Sequence, residues 1–492
     1  MSSPSACTVH VARPFAGPHA DPVGVLEALR GLRAPWLLES ASTATRAGRF
    51  SFVGADPYLV LRARGASPEA TVHRAVHEGL APGVVRRRGA LLDALREWMP
   101  AAPAEAGETP FCGGAVGAIG YETAEQLDVH HLHGADDLGL PDAIWLFVDA
   151  LVAFDHRRGT AHVSGLGFAD TEPIARERAE AAADALFARL SRPAAARRSR
   201  TSPTAGSRAP TAASSRSSLD LAAYRKAVDE TALQIAAGEL YQACLTYRID
   251  RPFSGDPWRL YRELRRRDPA PFAAYLELPE VTIASASPER FLRVDAASRV
   301  ESRPIKGTAP RGADPEEDAR HHAALAASEK DRAENLMIVD LVRNDLGRVC
   351  ATGSVAVPEL FAIEPYAAVF QLVSTVTGTL RPDCDALDAI AACFPPGSMT
   401  GAPKIAAMRW LDRLESVRRG FYSGAIGYLD ARGGADLSVV IRTAFVTGGR
   451  AYLHAGGGIV SDSDASAEYA ESRAKLRSLL DALEACETGG VS

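Results

Sequence analysis

Between Ser191 and Ser218 the chain reads SRPAAARRSRTSPTAGSRAPTAASSRSS, a stretch without Leu, Ile, Val or any aromatic residue. Such a segment cannot bury enough apolar surface to offset the entropy of ordering it. It divides the chain into an N-terminal region, 1–190, and a C-terminal region, 219–486, with 191–218 expected as a disordered linker. Its six arginines would also suit a basic recognition arm, but a solvated tether is the plainer reading. At 492 residues and 47% hydrophobic content, two domains or one large double-layered domain are expected.

The formal charge of −6 leaves no global basic field for nucleic acid or an anionic membrane, so a small-molecule enzyme suits the balance better. Seven scattered cysteines form no CxxC pair, and no histidine cluster has zinc spacing. A reduced, cytoplasmic setting is expected. MSSPSACTVHVARPF lacks the pattern of a secretion signal, and no run of ~20 apolar residues occurs, so a soluble protein is expected.

Short strand-like runs such as SFVGADPYLVLRA and AIWLFVDALVAF alternate with helical stretches such as VLEALRGL and ARERAEAAADALFARL. After the linker a helix over Leu221–Leu240 leads into LYQACLTYRI, and the alternation continues to a terminal helix, Glu468–Ala485. The pattern reads as α+β.

Five C-terminal segments carry candidate chemistry. SASPERFLRV followed by ESRPIKGTAPRG reads as a strand pair that would bring Glu289 near Lys306. Lys306 is then either a surface lysine or, if burial disfavours its charge, a nucleophile. EKDRAENLMIVDLVRNDLGRV reads as a helix apolar on nearly all faces, hence buried, with Asp331 and Glu334 at i, i+3 pointing the same way. A solvated helix face would explain that pair equally.

FPPGSMTGAPKIAAMRWLDRLE places Ser398 and Thr400 near a helix start, where backbone N–H groups can hold a carboxylate. An ordinary capped helix is the alternative. In ADLSVVIRTAFV, Arg442 is the lone charge of the apolar run SVVIRTAFV and needs an anionic partner, either a substrate carboxylate or an internal acid. LHAGGGIVSDSDASAEYAESRAKLRSLLDAL has glycines at 456–458 that permit close backbone approach, followed by a helix in which Glu468, Glu471 and Lys475 form one stripe. These carboxylates, with no thiol or imidazole cluster, suit Mg²⁺. No P-loop, GxGxxG unit or GxSxG elbow is present.

Taken in order, the five segments resemble the signature blocks of the chorismate-utilising enzymes: component I of anthranilate synthase and of aminodeoxychorismate synthase, isochorismate synthase and salicylate synthase. The resemblance covers about 220–485, and LLESASTATRAGRFSFVGADP adds a block of the two amine-forming branches. It implies two β-sheets packed face to face with helices around them. It also implies Mg²⁺ on Glu334 and Glu471 with Asp331 and Glu468 in support, and chorismate held by Ser398, Tyr422, Arg442, Gly456, Gly458 and Lys475. At position 306, PIKGT resembles the aminodeoxychorismate branch, where anthranilate synthases usually have a small residue.

The implied reaction is amination of chorismate to 4-amino-4-deoxychorismate through a Lys306 adduct at ring C2, with Glu289 as acid and then base. The product would serve 4-aminobenzoate and folate synthesis or a related secondary pathway; anthranilate synthesis is the alternative. Gln371 stands where many members have His, and its amide cannot exchange a proton at neutral pH. That favours an enzyme retaining the enolpyruvyl group. No glutaminase block is recognisable, so ammonia is expected from a separate glutamine amidotransferase. Leu38, Glu39 and Ser40 resemble a tryptophan pocket, or a folding element kept from ancestry.

Overall fold

The computed structural model describes residues 7–16, 21–42, 48–104, 107–127, 131–191 and 215–488. Most of the expected linker lies outside these residues. Its end does not: Arg216–Ser217 pairs with the Gln242–Pro252 strand.

Among the described residues, two 12-stranded sheets carry the fold, and every pairing within them is antiparallel. The first sheet runs from Cys7–Pro14 at one edge, through Trp36–Glu39 and Phe272–Glu277, to Arg450–Ile459 and Gln242–Pro252 near the other. The second runs from Ile305–Pro310 and Val369–Thr379, through Arg290–Val294 and Ala435–Val439, to Ala425–Asp430, Gly114–Ile119 and beyond. They pack face to face, with Phe52 of the first 5.4 Å from Tyr428 of the second, ring to ring. The α+β two-sheet architecture expected above is the one observed.

Sequence before and after the linker contributes to both sheets. Leu38 pairs with Ala274 in the first, and Gly117 with Gly427 in the second. The two regions therefore share one double-layered core.

Helices pack outside the sheets. Leu221–Ala236 is capped by Asp220, whose carboxylate accepts from Ala223 N, and it stops before Gly238 at φ 81°. The terminal helix spans Ala465–Thr488, starting earlier than periodicity suggested because Asp464 accepts from Ser466 N and Ala467 N. Helix Glu329–Gly347 differs from its reading as buried all round. Only one face, including Asn335, Ile338, Val339 and Val342, is buried, and Leu336 is 50% exposed.

Two runs read as continuous strands change sheet midway. Thr282–Ser287 belongs to the first sheet and Arg290–Val294 to the second, with Glu289 in the crossing. Likewise Ala435–Val439 lies in the second sheet and Thr443–Thr447 in the first, with Arg442 between them at φ 51°. The crossings lie side by side: Val439 N donates to Glu289 O (3.0 Å) and Ala286 N to Arg442 O (3.1 Å). No helix among the described residues is long and apolar enough to cross a membrane, and all seven cysteines are unpaired.

Candidate active site

The site gathers where the Gln242–Pro252 and Arg450–Ile459 strands of the first sheet face the Ile305–Pro310 edge of the second. Helices Glu329–Gly347 and Ala465–Thr488 close over it.

Lys306 and Glu289 meet, though not by direct pairing of their strands, because Val369–Thr379 and Arg299–Arg303 intervene in the sheet order. The crossing at Glu289 brings its carboxyl beside the Ile305 backbone amide and within reach of the Lys306 charge. Burial dominates and pushes the Glu289 carboxyl up to about 7, against the pull of the Ser398 hydroxyl, Lys306 and the Ile305 amide. Ser398 Oγ is buried and makes no hydrogen bond of good geometry, so it sits close to Glu289 with its bonding capacity uncommitted.

Ser398 and Thr400 are not at a helix N-terminus, as the spacing suggested. They lie in a 3₁₀ turn, Gly397–Met399, and just after it; the two-residue strand Gly401–Ala402 then pairs with Gln242–Ala243, and the helix begins only at Lys404. Proline at 403 and pairing to the sheet postpone the helix.

The glycine run supplies close approach. A Cβ at Gly458 would lie 2.2 Å from Gln242 Nε2 and 3.0 Å from Lys306 Nζ, and one at Gly457 would lie 2.8 Å from Glu468 Oε2. Lys475 Nζ donates to Gly456 O (3.0 Å) and pairs with Glu471 at 2.8 Å. Lys475 draws the Glu471 carboxyl below its usual range despite burial, with Lys306 and Lys330 adding to the effect.

The carboxylates expected as metal ligands converge. Burial pushes Glu334 up; Lys306 and Lys330 oppose this, while Glu468 and Asp331 reinforce it. Glu468 accepts from Ser463 Oγ (2.8 Å). Asp331 packs against the strand irregularity at Lys306–Gly307, where a Cβ on Gly307 would meet Asp331 Cβ at 2.8 Å. Lys330 Nζ stands 4.0 Å from Glu334 and 3.8 Å from Glu468, in the place a shared cation would take.

Among the described residues no three acids, histidines or cysteines are gathered tightly enough to hold a metal unaided. Mg²⁺ commonly takes only one or two protein carboxylates and completes its shell with water and substrate oxygens. Around Lys306, five carboxylates (Glu289, Asp331, Glu334, Glu468, Glu471) face three ammonium groups (Lys306, Lys330, Lys475). That excess of hard anionic donors fits a divalent cation.

Arg442 finds an internal acid, Asp268, at a loose 3.6 Å, and stays partly exposed. Tyr422 is buried and stacks near His454, with Arg442 close enough to affect its hydroxyl. Gln371 is buried across from Thr308 and Glu364, and its Oε1 has no hydrogen-bond partner. Leu38, Glu39 and Ser40 line a different cavity of about 240 Å³ between the sheets. There the Glu39 carboxylate is already taken by Arg265 (2.7 and 2.8 Å) and Tyr261 (2.8 Å). Cys112 is buried beside Asp430.

Two residues at the site escaped the sequence reading. Gln242 is fully buried with neither amide atom bonded, facing Gly458 and Lys306. A lone amide in the apolar run LYQACLTYRI was its only signal. Lys330 had none beyond ordinary helix-surface charge.

A family model described as chorismate binding enzyme matches residues 42–481. The chain belongs to that family. This chorismate-binding enzyme is 42% identical over 459 residues to an aminodeoxychorismate synthase of Streptomyces griseus, covering 92% of this chain but 61% of the relative. It thus spans about three-fifths of that relative's length. It is 38% identical over 489 residues to anthranilate synthase component 1 of Mycolicibacterium smegmatis, covering 95% and 90%. The crystal structure of anthranilate synthase component I from Streptococcus pneumoniae superposes with a TM-score of 0.73 at 30% identity, covering 88% and 93%.

Proposed function

We propose that this enzyme aminates chorismate at C4, forming 4-amino-4-deoxychorismate through a covalent Lys306 adduct. The observation that carries the reading is the placement of Lys306, whose Nζ stands beside Gly458 and the unbonded amide of Gln242 and near the buried Glu289 carboxyl. A surface lysine would have no such surroundings. The name of the Streptomyces relative points the same way.

The proposed reaction starts from a free Lys306 amine and a protonated Glu289, and burial, which pushes the Glu289 carboxyl up to about 7, keeps the latter proton available near neutral pH. Lys306 Nζ bonds to ring C2, both ring double bonds shift by one position, and the C4–O bond breaks, with Glu289 giving its proton so that water leaves. Glu289, now a carboxylate, takes the proton from the adduct nitrogen. Ammonia then bonds to C4, both ring double bonds shift back, and the C2–N bond breaks as Glu289 returns its proton to the departing Lys306 nitrogen; the carboxylate so formed takes a proton from the incoming nitrogen.

Glu334 and Glu471, supported by Asp331 and Glu468, would hold Mg²⁺, which supplies positive charge to fix and polarise the ring carboxylate. Arg442, Lys475, Tyr422, Ser398 and the backbone at Gly456 and Gly458 orient the substrate. Ammonia comes from a separate glutamine amidotransferase, and the product feeds 4-aminobenzoate and folate synthesis or a related secondary pathway. The cavity at Leu38, Glu39 and Ser40 is the proposed place for tryptophan.

Anthranilate synthesis is the second reading, supported by the names of the mycobacterial relative and the streptococcal structure. Lys306 and the non-titrating Gln371 disfavour it. The test is the purified chain with chorismate, Mg²⁺ and ammonium. The expected product has the mass of aminodeoxychorismate and becomes 4-aminobenzoate when a lyase is added; prompt fluorescent anthranilate without it would overturn the proposal.

A further inference from the structure

We infer that Arg419, which lies outside the reacting groups, is a positioning residue that locks together the three segments carrying Ser398, Gln242 and Tyr422. A guanidinium has five N–H donors, and here all five are used. Nη1 donates to Met399 O (2.7 Å) and Ser423 Oγ (3.1 Å). Nη2 donates to Cys244 O (2.9 Å) and Glu415 Oε1 (2.7 Å), and Nε to Glu415 Oε2 (2.7 Å).

The three acceptors outside Glu415 belong to separate stretches of chain. Met399 follows Ser398 in the 3₁₀ turn. Cys244 lies two residues beyond Gln242 and pairs with Gly458. Ser423, at φ 64°, follows Tyr422. Glu415 reinforces the clamp, since its Oε1 also accepts from Thr246 N (2.9 Å) and Thr246 Oγ1 (3.0 Å) on the Gln242–Pro252 strand.

The clamp is itself anchored from the N-terminal region. Tyr121 lays its ring 4.4 Å from the Arg419 guanidinium carbon. The buried Glu122 carboxylate accepts from Arg419 N (2.8 Å) and Gly420 N (3.0 Å). Glu415 alone would satisfy the charge of Arg419, so charge neutralisation does not explain the carbonyl contacts. A planar fork is needed to reach them together, and lysine, a single point donor, cannot do so.

The reaction assayed rests on the amination reading, so binding is measured separately. Arg419→Lys keeps the charge opposite Glu415 and releases the three segments. Its chorismate affinity, by calorimetry, should fall at least about tenfold, and kcat/KM about 10²-fold, as expected of a small misplacement of site groups. Arg419→Ala should be worse in both, and guanidinium ion at millimolar concentration should recover part of its activity saturably. Should Arg419→Ala not fold, Arg419→Lys and Ser423→Ala decide the matter, the latter with a KM increase and little change in melting temperature. Wild-type affinity and kcat/KM in Arg419→Lys would overturn the inference. A wild-type chain that binds chorismate but forms no product would sink the amination reading only, and the affinity of Arg419→Lys would still decide this one.

Discussion

Alanine placed in turn at Gly456, Gly457 and Gly458 tests which of the three approaches serves the fold and which the site. At 456 the new Cβ would lie 2.1 Å from Leu245 O and 2.8 Å from Thr246 Cα, both backbone atoms of the paired strand. Neither can yield by about 1 Å without opening the ladder, so overpacking should cost about 1–3 kcal/mol or more and lower the melting temperature. At 458 the Cβ meets Gln242 Nε2 at 2.2 Å and Lys306 Nζ at 3.0 Å, the far ends of two side chains. These can swing aside, which preserves the fold but misplaces the groups by about 1 Å; a loss of about 10²-fold in kcat/KM is expected with little change in melting temperature. At 457 the Cβ would lie 2.8 Å from Glu468 Oε2, so the variant should need more Mg²⁺ for half-maximal rate. Scanning calorimetry and steady-state assays with ammonium and titrated Mg²⁺ read all three. A Gly458→Ala enzyme with wild-type turnover, or a Gly456→Ala enzyme with wild-type melting temperature, would refute the geometry.

Lys306→Ala and Glu334→Gln should each abolish formation of the aminated product; if both kept wild-type rates, the site assignment would be wrong. Glu289 binds its proton more tightly folded than unfolded, since burial lifts it from 4.5 to about 7. Its contribution is therefore fully present below about pH 4.5 and is lost as pH rises through 7, so Glu289→Gln should gain up to about 3 kcal/mol relative to wild type between pH 5 and 8. Denaturation across that range checks it, and a pH-independent difference counts against it. Lys404 Nζ is held, mostly out of solvent, between Asp345 Oδ2 (2.7 Å) and Cys393 O (2.8 Å). Asp345→Ala should cost about 3–5 kcal/mol by leaving that charge unpaired, and adding Lys404→Met should restore much of the loss. Equal stability of the single and double variants would contradict this.

What sequence alone determined was whatever depends on local spacing. Helical periodicity set Asp331 with Glu334, and Glu468 with Glu471 and Lys475, on shared faces before any fold was known, and the structure brings both stripes to Lys306. The apolar strands, the glycine run and the order of the motifs were equally legible. Only tertiary structure decided where the chain changes sheet, because a strand buried in either sheet is apolar in the same way. Glu289 and Arg442 therefore read as strand residues, although each stands at a crossing. The same limit hid Asp268 opposite Arg442, Lys330 between two glutamates, and Gln242 against Gly458. These contacts join side chains from distant segments, and they depend on how two shared sheets stack, which no local pattern encodes.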